Sequence, residues 1–122
     1  MVQTRTLLLV EDEPIVALAI QDTLEDAGYK VLLAADGHSG AAAIQENINT
    51  ISGLITDIRL GTGPEGWLLA RQARECRPEL PVLYVTADSA DDWSSQGVSG
   101  SSLLQKPFSP DRMLAELHDI LT

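Results

Sequence analysis

The chain has 122 residues, 44% of them hydrophobic, and its 18 acidic and 8 basic side chains give a formal charge of −10. That length reads as one domain with apolar content enough for its own core, and the single cysteine, Cys76, excludes an intrachain disulfide framework. The acidic balance argues against direct nucleic-acid binding and suits a divalent cation or a basic partner, while no apolar run approaches the roughly 20 residues a membrane span needs.

The elements alternate along the chain. TLLLV (6–10) is short and wholly apolar, the pattern of a buried strand. Pro14 opens a helix whose Val16, Ile20, Leu24 and Ala27 share one face, and Gly28 supplies the stop. YKVLLAA (29–35) is the second strand, Asp36-Gly37 a turn, and the alanine-rich stretch 38–47 the second helix. ISGLIT (51–56) is the third strand. After a glycine loop, 67–76 forms the third helix, with Leu69, Ala73 and Cys76 at helical spacing. Cys76 reads there as a small core residue, and Trp67 as a shield for the loop.

Arg77-Pro78 ends that helix, and PVLYVT (81–86) is a fourth strand rich in β-formers. SADDWSSQGVSGSS (89–102) holds at most a short helix over 89–95, because serine and glycine dominate afterwards. SLLQ (102–105) is a fifth strand. Ser109-Pro110-Asp111 is an N-cap, a first-turn proline and an acid at the positive end of a helix that runs to about Leu121, with Met113, Leu114, Leu117 and Ile120 on its apolar side. Five strands alternating with five helices imply a doubly wound parallel α/β sheet covered on both faces, residues 1–122 forming one domain. Ligands of such sheets bind beyond the carboxyl ends of the strands.

The strand ends therefore decide the chemistry. The first delivers Glu11-Asp12, the third Asp57, the fourth Thr86 and the fifth Lys106-Pro107. Carboxylates gathered in a partly dry site repel one another and take up protons or a cation. A set of oxygen ligands without histidine or cysteine suits Mg²⁺. Lys106 can balance part of the charge or hold a phosphoryl oxygen, and a carboxylate beside Mg²⁺ can attack phosphorus to give an acyl phosphate.

LLLVEDEP, ITDIRL, YVTA and QKPF, in this order across essentially the whole chain, resemble the receiver domain of bacterial two-component response regulators. The resemblance implies the flavodoxin-like strand order 2-1-3-4-5. It implies that Asp57 accepts a phosphoryl group from a sensor histidine kinase or histidine phosphotransfer protein. Asp12 and Asp57 would ligate Mg²⁺ directly, Glu11 mostly through water, and the backbone carbonyl of Arg59 would complete the set. Thr86 and Lys106 would contact the phosphoryl oxygens, and the Lys106–Pro107 bond would be cis. A downstream protein partner would use the face made by the fourth helix, fifth strand and fifth helix. No nucleic-acid or membrane contact is expected, the location is expected to be cytoplasmic with no signal peptide, and the oligomeric state, a homodimer included, stays open.

Three departures from the family pattern stand out. Leu103 occupies the place of a tyrosine or phenylalanine that normally swings inward with the threonine; here it reads as core packing. The loop GTGPEG after Leu60 looks about one residue long. The stretch between Thr86 and Lys106 is short and serine-rich, which implies a short or mobile fourth helix and a nonstandard output surface, with Trp93 either packed locally or an exposed anchor for a partner. Arg59 and Asp88, two residues beyond Asp57 and Thr86, hold positions that in the family flank the route of hydrolytic water: they either pair and shield an aspartyl phosphate or stand as two solvated charges. His38 and His118 read as surface residues. The leading expectation is a signalling phosphoacceptor with self-catalysed phosphorylation and hydrolysis, not a metabolic enzyme, either free-standing or cut from a longer regulator or hybrid kinase. A pseudo-receiver that signals without phosphate is the alternative. A phosphohydrolase ranks last, because such enzymes commonly carry a second acid two residues after the nucleophile, where Arg59 stands.

Overall fold

A computed structural model describes residues 4–122. Strands β1 (Thr6–Val10), β2 (Lys30–Ala34), β3 (Gly53–Asp57), β4 (Val82–Thr86) and β5 (Ser102–Gln105) alternate with helices α1 (Pro14–Asp26), α2 (Gly37–Asn47), α3 (Gly66–Cys76), α4 (Trp93–Gln96) and α5 (Pro110–Leu121). The strands form one parallel sheet in the order β2-β1-β3-β4-β5, as the resemblance implied. Among the described residues no helix is long and apolar enough to cross a membrane.

The apolar runs are continuous because both sheet faces are covered. Alternate strand residues feed two cores. Leu8, Val10, Leu54, Val82 and Tyr84 pack with Ile44, Leu69 and Ala73 of α2 and α3. Leu7, Leu9, Ile55, Leu83 and Val85 pack with Ile20, Leu24, Met113 and Leu117 of α1 and α5. Order reverses between β1 and β3, and every strand carries its carboxyl end to the same rim.

Local signals set most helix ends. Pro14 and Pro110 occupy first turns, the Ser109 hydroxyl accepts from the Arg112 amide, and Gly28 takes φ +97° beyond α1. Some boundaries and roles differ from expectation. Asp36 is not a turn residue but the N-cap of α2, accepting from the Ser39 amide at 2.7 Å. Asp57 is the last residue of β3, one later than read, and Ile51 lies buried ahead of that strand. Ala27 lies past the helix and is exposed. Cys76 is exposed rather than core, because the buried face of α3 ends at Ala73. Trp67 is core rather than a loop shield, its ring 4.7 Å from that of Tyr84 at 58°. The fourth helix is a single turn, preceded by a 3₁₀ turn over Ala90–Asp92.

Candidate functional site

Glu11 leaves β1 still bound to the sheet, its amide donating to the Ala34 carbonyl at 3.1 Å. Its side chain is 1% exposed. One carboxylate oxygen accepts from Lys106 Nζ at 2.8 Å, the other from the Glu13 amide at 3.2 Å. Burial is the main cause that raises the Glu11 carboxyl to about 7; the Lys106 hydrogen bond opposes it and the Asp57 charge adds to it.

Asp57, 7% exposed at the end of β3, accepts from its neighbour's amide, Ile58, at 2.7 Å through Oδ1. Its Oδ2 accepts from Lys106 Nζ at 3.0 Å. Lys106 arrives from β5, where its own amide continues the ladder by donating to the Thr86 carbonyl at 2.7 Å, and its bond to Pro107 is cis. Burial alone would lower the Lys106 ammonium, but the hydrogen bonds and charges of Glu11 and Asp57 outweigh it and hold its pKa above the ordinary value. Asp12 is more open to solvent than either partner, and its carboxylate faces Gly61 of the following loop. Glu11, Asp12 and Asp57 each present one carboxylate oxygen, all within 4.8 Å of one another. Three clustered oxygen donors and no nitrogen or sulfur fit a hard divalent cation such as Mg²⁺.

Thr86 reaches the rim from β4 and is 1% exposed. Its Oγ1 accepts from the Ser89 amide at 2.9 Å and from the Asp88 amide at 3.3 Å, so the hydroxyl fastens the start of the β4–α4 connection. The Arg59 side chain pairs with Asp88 at 3.0 Å across the mouth of the site, both ends largely exposed. The Ser89 hydroxyl and then Arg59 hold the Asp88 carboxyl below its ordinary range. The Arg59 carbonyl accepts no hydrogen bond among the described residues. His38 and His118 are exposed and outside the site.

Two contributors were not legible in the residue pattern. Ser89 is 5% exposed and donates to Asp88 at 2.9 Å, tying the connection to the Arg59 pair. Gly66 opens α3 directly behind Asp57: its amide donates to the Ile58 carbonyl at 2.8 Å, and a Cβ there would sit 2.1 Å from the Asp57 carbonyl oxygen. Only glycine lets the backbone pass so close.

Comparison with known proteins agrees with this architecture. A family model described as the response regulator receiver domain matches residues 7–118. The transcriptional regulatory protein DltR of Streptococcus agalactiae is 34% identical over 113 residues, covering 91% of this chain and 49% of that protein. The chain thus spans about half the length of such relatives. Among solved structures, a response regulator receiver protein from Sinorhizobium medicae superposes with a TM-score of 0.93 at 35% identity, covering 98% of this chain and 95% of the other. The receiver domain of the hybrid histidine kinase CckA gives 0.80 at 29% identity, covering 96% and 99%.

Proposed function

The chain belongs to the response regulator receiver domain family, and from that premise we propose that Asp57 accepts a phosphoryl group from a phosphohistidine on a sensor histidine kinase or histidine phosphotransfer protein. One observation carries the reading: a single lysine, Lys106, lies within hydrogen-bond distance of both Glu11 and Asp57, in a cluster of three carboxylates. In the step, an Asp57 carboxylate oxygen forms a bond to phosphorus while the bond from phosphorus to the donor imidazole nitrogen breaks. The imidazole leaves with that electron pair, and the product is an aspartyl phosphate.

Asp12 and Asp57 would hold Mg²⁺ directly, with Glu11 acting through water and the Arg59 backbone carbonyl as a further oxygen ligand. When bound, the ion neutralises charge on the cluster and on the transferring oxygens. Lys106 is already oriented on Asp57 and meets phosphoryl oxygens as a point cation. The Thr86 hydroxyl accepts two amides and makes no donor bond among the described residues, which leaves its hydrogen for a phosphoryl oxygen. On this reading the protein is a signalling switch with self-catalysed phosphorylation and hydrolysis, acting in the cytoplasm through protein contacts on the α4-β5-α5 face.

Incubation with acetyl phosphate and Mg²⁺ tests it. A base-labile phosphate at Asp57, lost in Asp57→Asn and in the presence of a chelator, is the expected result. Label at another residue, or none, would overturn the assignment; none would favour a pseudo-receiver that signals without phosphate.

A further inference from the structure

Leu103 stands where the family places an aromatic ring, yet an aromatic hydroxyl is present one strand further in. Tyr84 pairs with Leu103 across the β4–β5 ladder and is fully buried. It lies on the same strand face as Thr86, two residues on. Its ring is wedged against Trp67 in the core between the sheet, α2 and α3. The hydroxyl accepts a hydrogen bond from the Val98 amide at 3.1 Å.

The connection between β4 and β5 is therefore fastened at both ends by side chains of β4. Thr86 holds the amides of Asp88 and Ser89 at the near end, and Tyr84 holds Val98 at the far end. Residues 97–101 contain neither helix nor strand, yet they are closed on themselves and onto Trp93 of α4. The Trp93 indole N–H donates to the Ser101 hydroxyl at 3.0 Å, and that hydroxyl donates to the Val98 carbonyl at 2.6 Å. The indole also covers Gly97 so tightly that a Cβ there would fall 2.5 Å from the ring. A ring packed against Trp67 and tied by its own hydroxyl has no room to swing, so Tyr84 is an anchor where the usual aromatic is a moving part.

We propose that Tyr84 is the positioning residue of the output segment: a far-end anchor independent of Thr86, which confines movement started at Thr86 to residues 88–92. α4, held to residues 97–101 by Trp93, and β5 stay in place. The inference rests on the reading of Thr86 as a phosphoryl ligand, under which its hydroxyl shifts towards Asp57 and loosens its hold on the two amides. The surface that changes on phosphorylation is then the start of the connection through the 3₁₀ turn, rather than α4 with Trp93 or the Leu103 edge.

Residue-resolved amide hydrogen exchange on the full chain tests this. Tyr84→Phe keeps the ring and removes only the hydroxyl, so Val98 exchange should rise about tenfold with Ser89 unchanged. Thr86→Ala should raise exchange at Asp88 and Ser89 by a similar factor and leave Val98 unchanged. In the unaltered protein, acetyl phosphate with Mg²⁺ should speed exchange at 88–92 and spare Val98. Unchanged Val98 protection in Tyr84→Phe, or either variant moving both ends together, would overturn the proposal. So would loss of Val98 protection on phosphorylation. If acetyl phosphate leaves no acyl phosphate on Asp57, the receiver reading fails; the comparison of the two variants uses no phosphate and still decides whether the anchors are independent.

Discussion

Glu11 is a carboxyl group that water barely reaches, and its protonation follows from that. Burial raises it to about 7, so between the ordinary glutamate value of 4.5 and about 7 the folded chain holds a proton that the unfolded chain has released. Folding is then favoured by protons in that window, and this group's contribution to stability is lost as pH rises through 7. Without divalent cations, the melting midpoint measured against Glu11→Gln should show an excess at pH 5.5 that disappears by pH 8. A difference between the two proteins that does not change with pH would refute the shift. Arg59 is the opposite case, a largely exposed residue whose solvent-screened pair with Asp88 adds little to stability. Its place across the mouth of the site gives it another consequence. Arg59→Ala should leave the melting midpoint nearly unchanged and shorten the acyl-phosphate half-life several-fold; an unaltered half-life sinks the shielding idea. The Arg59–Asp88 pair was legible through the family resemblance, because both residues follow strand ends that the fold sets side by side. Ser89 was not, since nothing in a serine immediately before a 3₁₀ turn marks it as buried.

At the scale of elements, the loop after Asp57 is where sequence and structure part most usefully. The sequence shows only a glycine-rich loop about one residue longer than the family pattern, but its glycines fold it back onto α2. Gly61 and Gly63 take φ of +74° and +86°, and the Gly37 amide donates to the Thr62 carbonyl at 2.9 Å. The two backbones interlock: a Cβ on Gly37 would lie 2.1 Å from the Pro64 carbonyl oxygen, and one on Gly63 would lie 2.5 Å from the His38 amide nitrogen. This contact joins segments far apart in the chain, so no local pattern could announce it. Cys76 was misread for a related reason, because helical spacing gives a face but not where the neighbouring layer ends. By contrast the strand runs, the proline starts and the Ser109 cap are local signals that the tertiary structure leaves intact. Gly37 offers a direct comparison. It is helical, where alanine is intrinsically better by about 1 kcal/mol, so Gly37→Ala would stabilise α2 if the loop were free. The interlock predicts the reverse sign, a loss of about 3 kcal/mol. Gly28→Ala, at φ +97° with open space around it, should cost only about 1 kcal/mol. Denaturant midpoints decide it, and a Gly37→Ala protein as stable as its parent would show the loop to be unlatched.

At the scale of the whole molecule, the rim joins two surfaces of different character. The carboxylate cluster is polar and mostly buried, while α1 beside it presents Ile15, 85% exposed, and Leu18, 58% exposed. Ile15 lies three residues beyond Asp12, so this apolar surface begins at the mouth of the site. Phe108, two residues after Lys106, extends the same side: with Ala19, Ile20, Thr23, Pro110 and Met113 it lines a cavity of about 170 Å³ between α1 and α5. Under the proposed function, labelling by a small phosphodonor would need only the carboxylates, Lys106 and Thr86, and would make no use of large exposed apolar side chains beside them. They do suit a protein donor that must hold its histidine over Asp57. In a chain of charge −10, apolar contact also gives two proteins a means of adhesion that salt does not screen. The two kinds of donor should therefore separate. In Ile15→Ala/Leu18→Ala, labelling by acetyl phosphate and Mg²⁺ should match the parent chain, because neither residue touches the cluster. Transfer from a phosphohistidine protein should fall by at least about tenfold, since burying one such side chain is worth about 1.5–3 kcal/mol. Equal loss with both donors would mean that the substitutions disturb the site itself, and equal retention would move the docking surface elsewhere on the molecule.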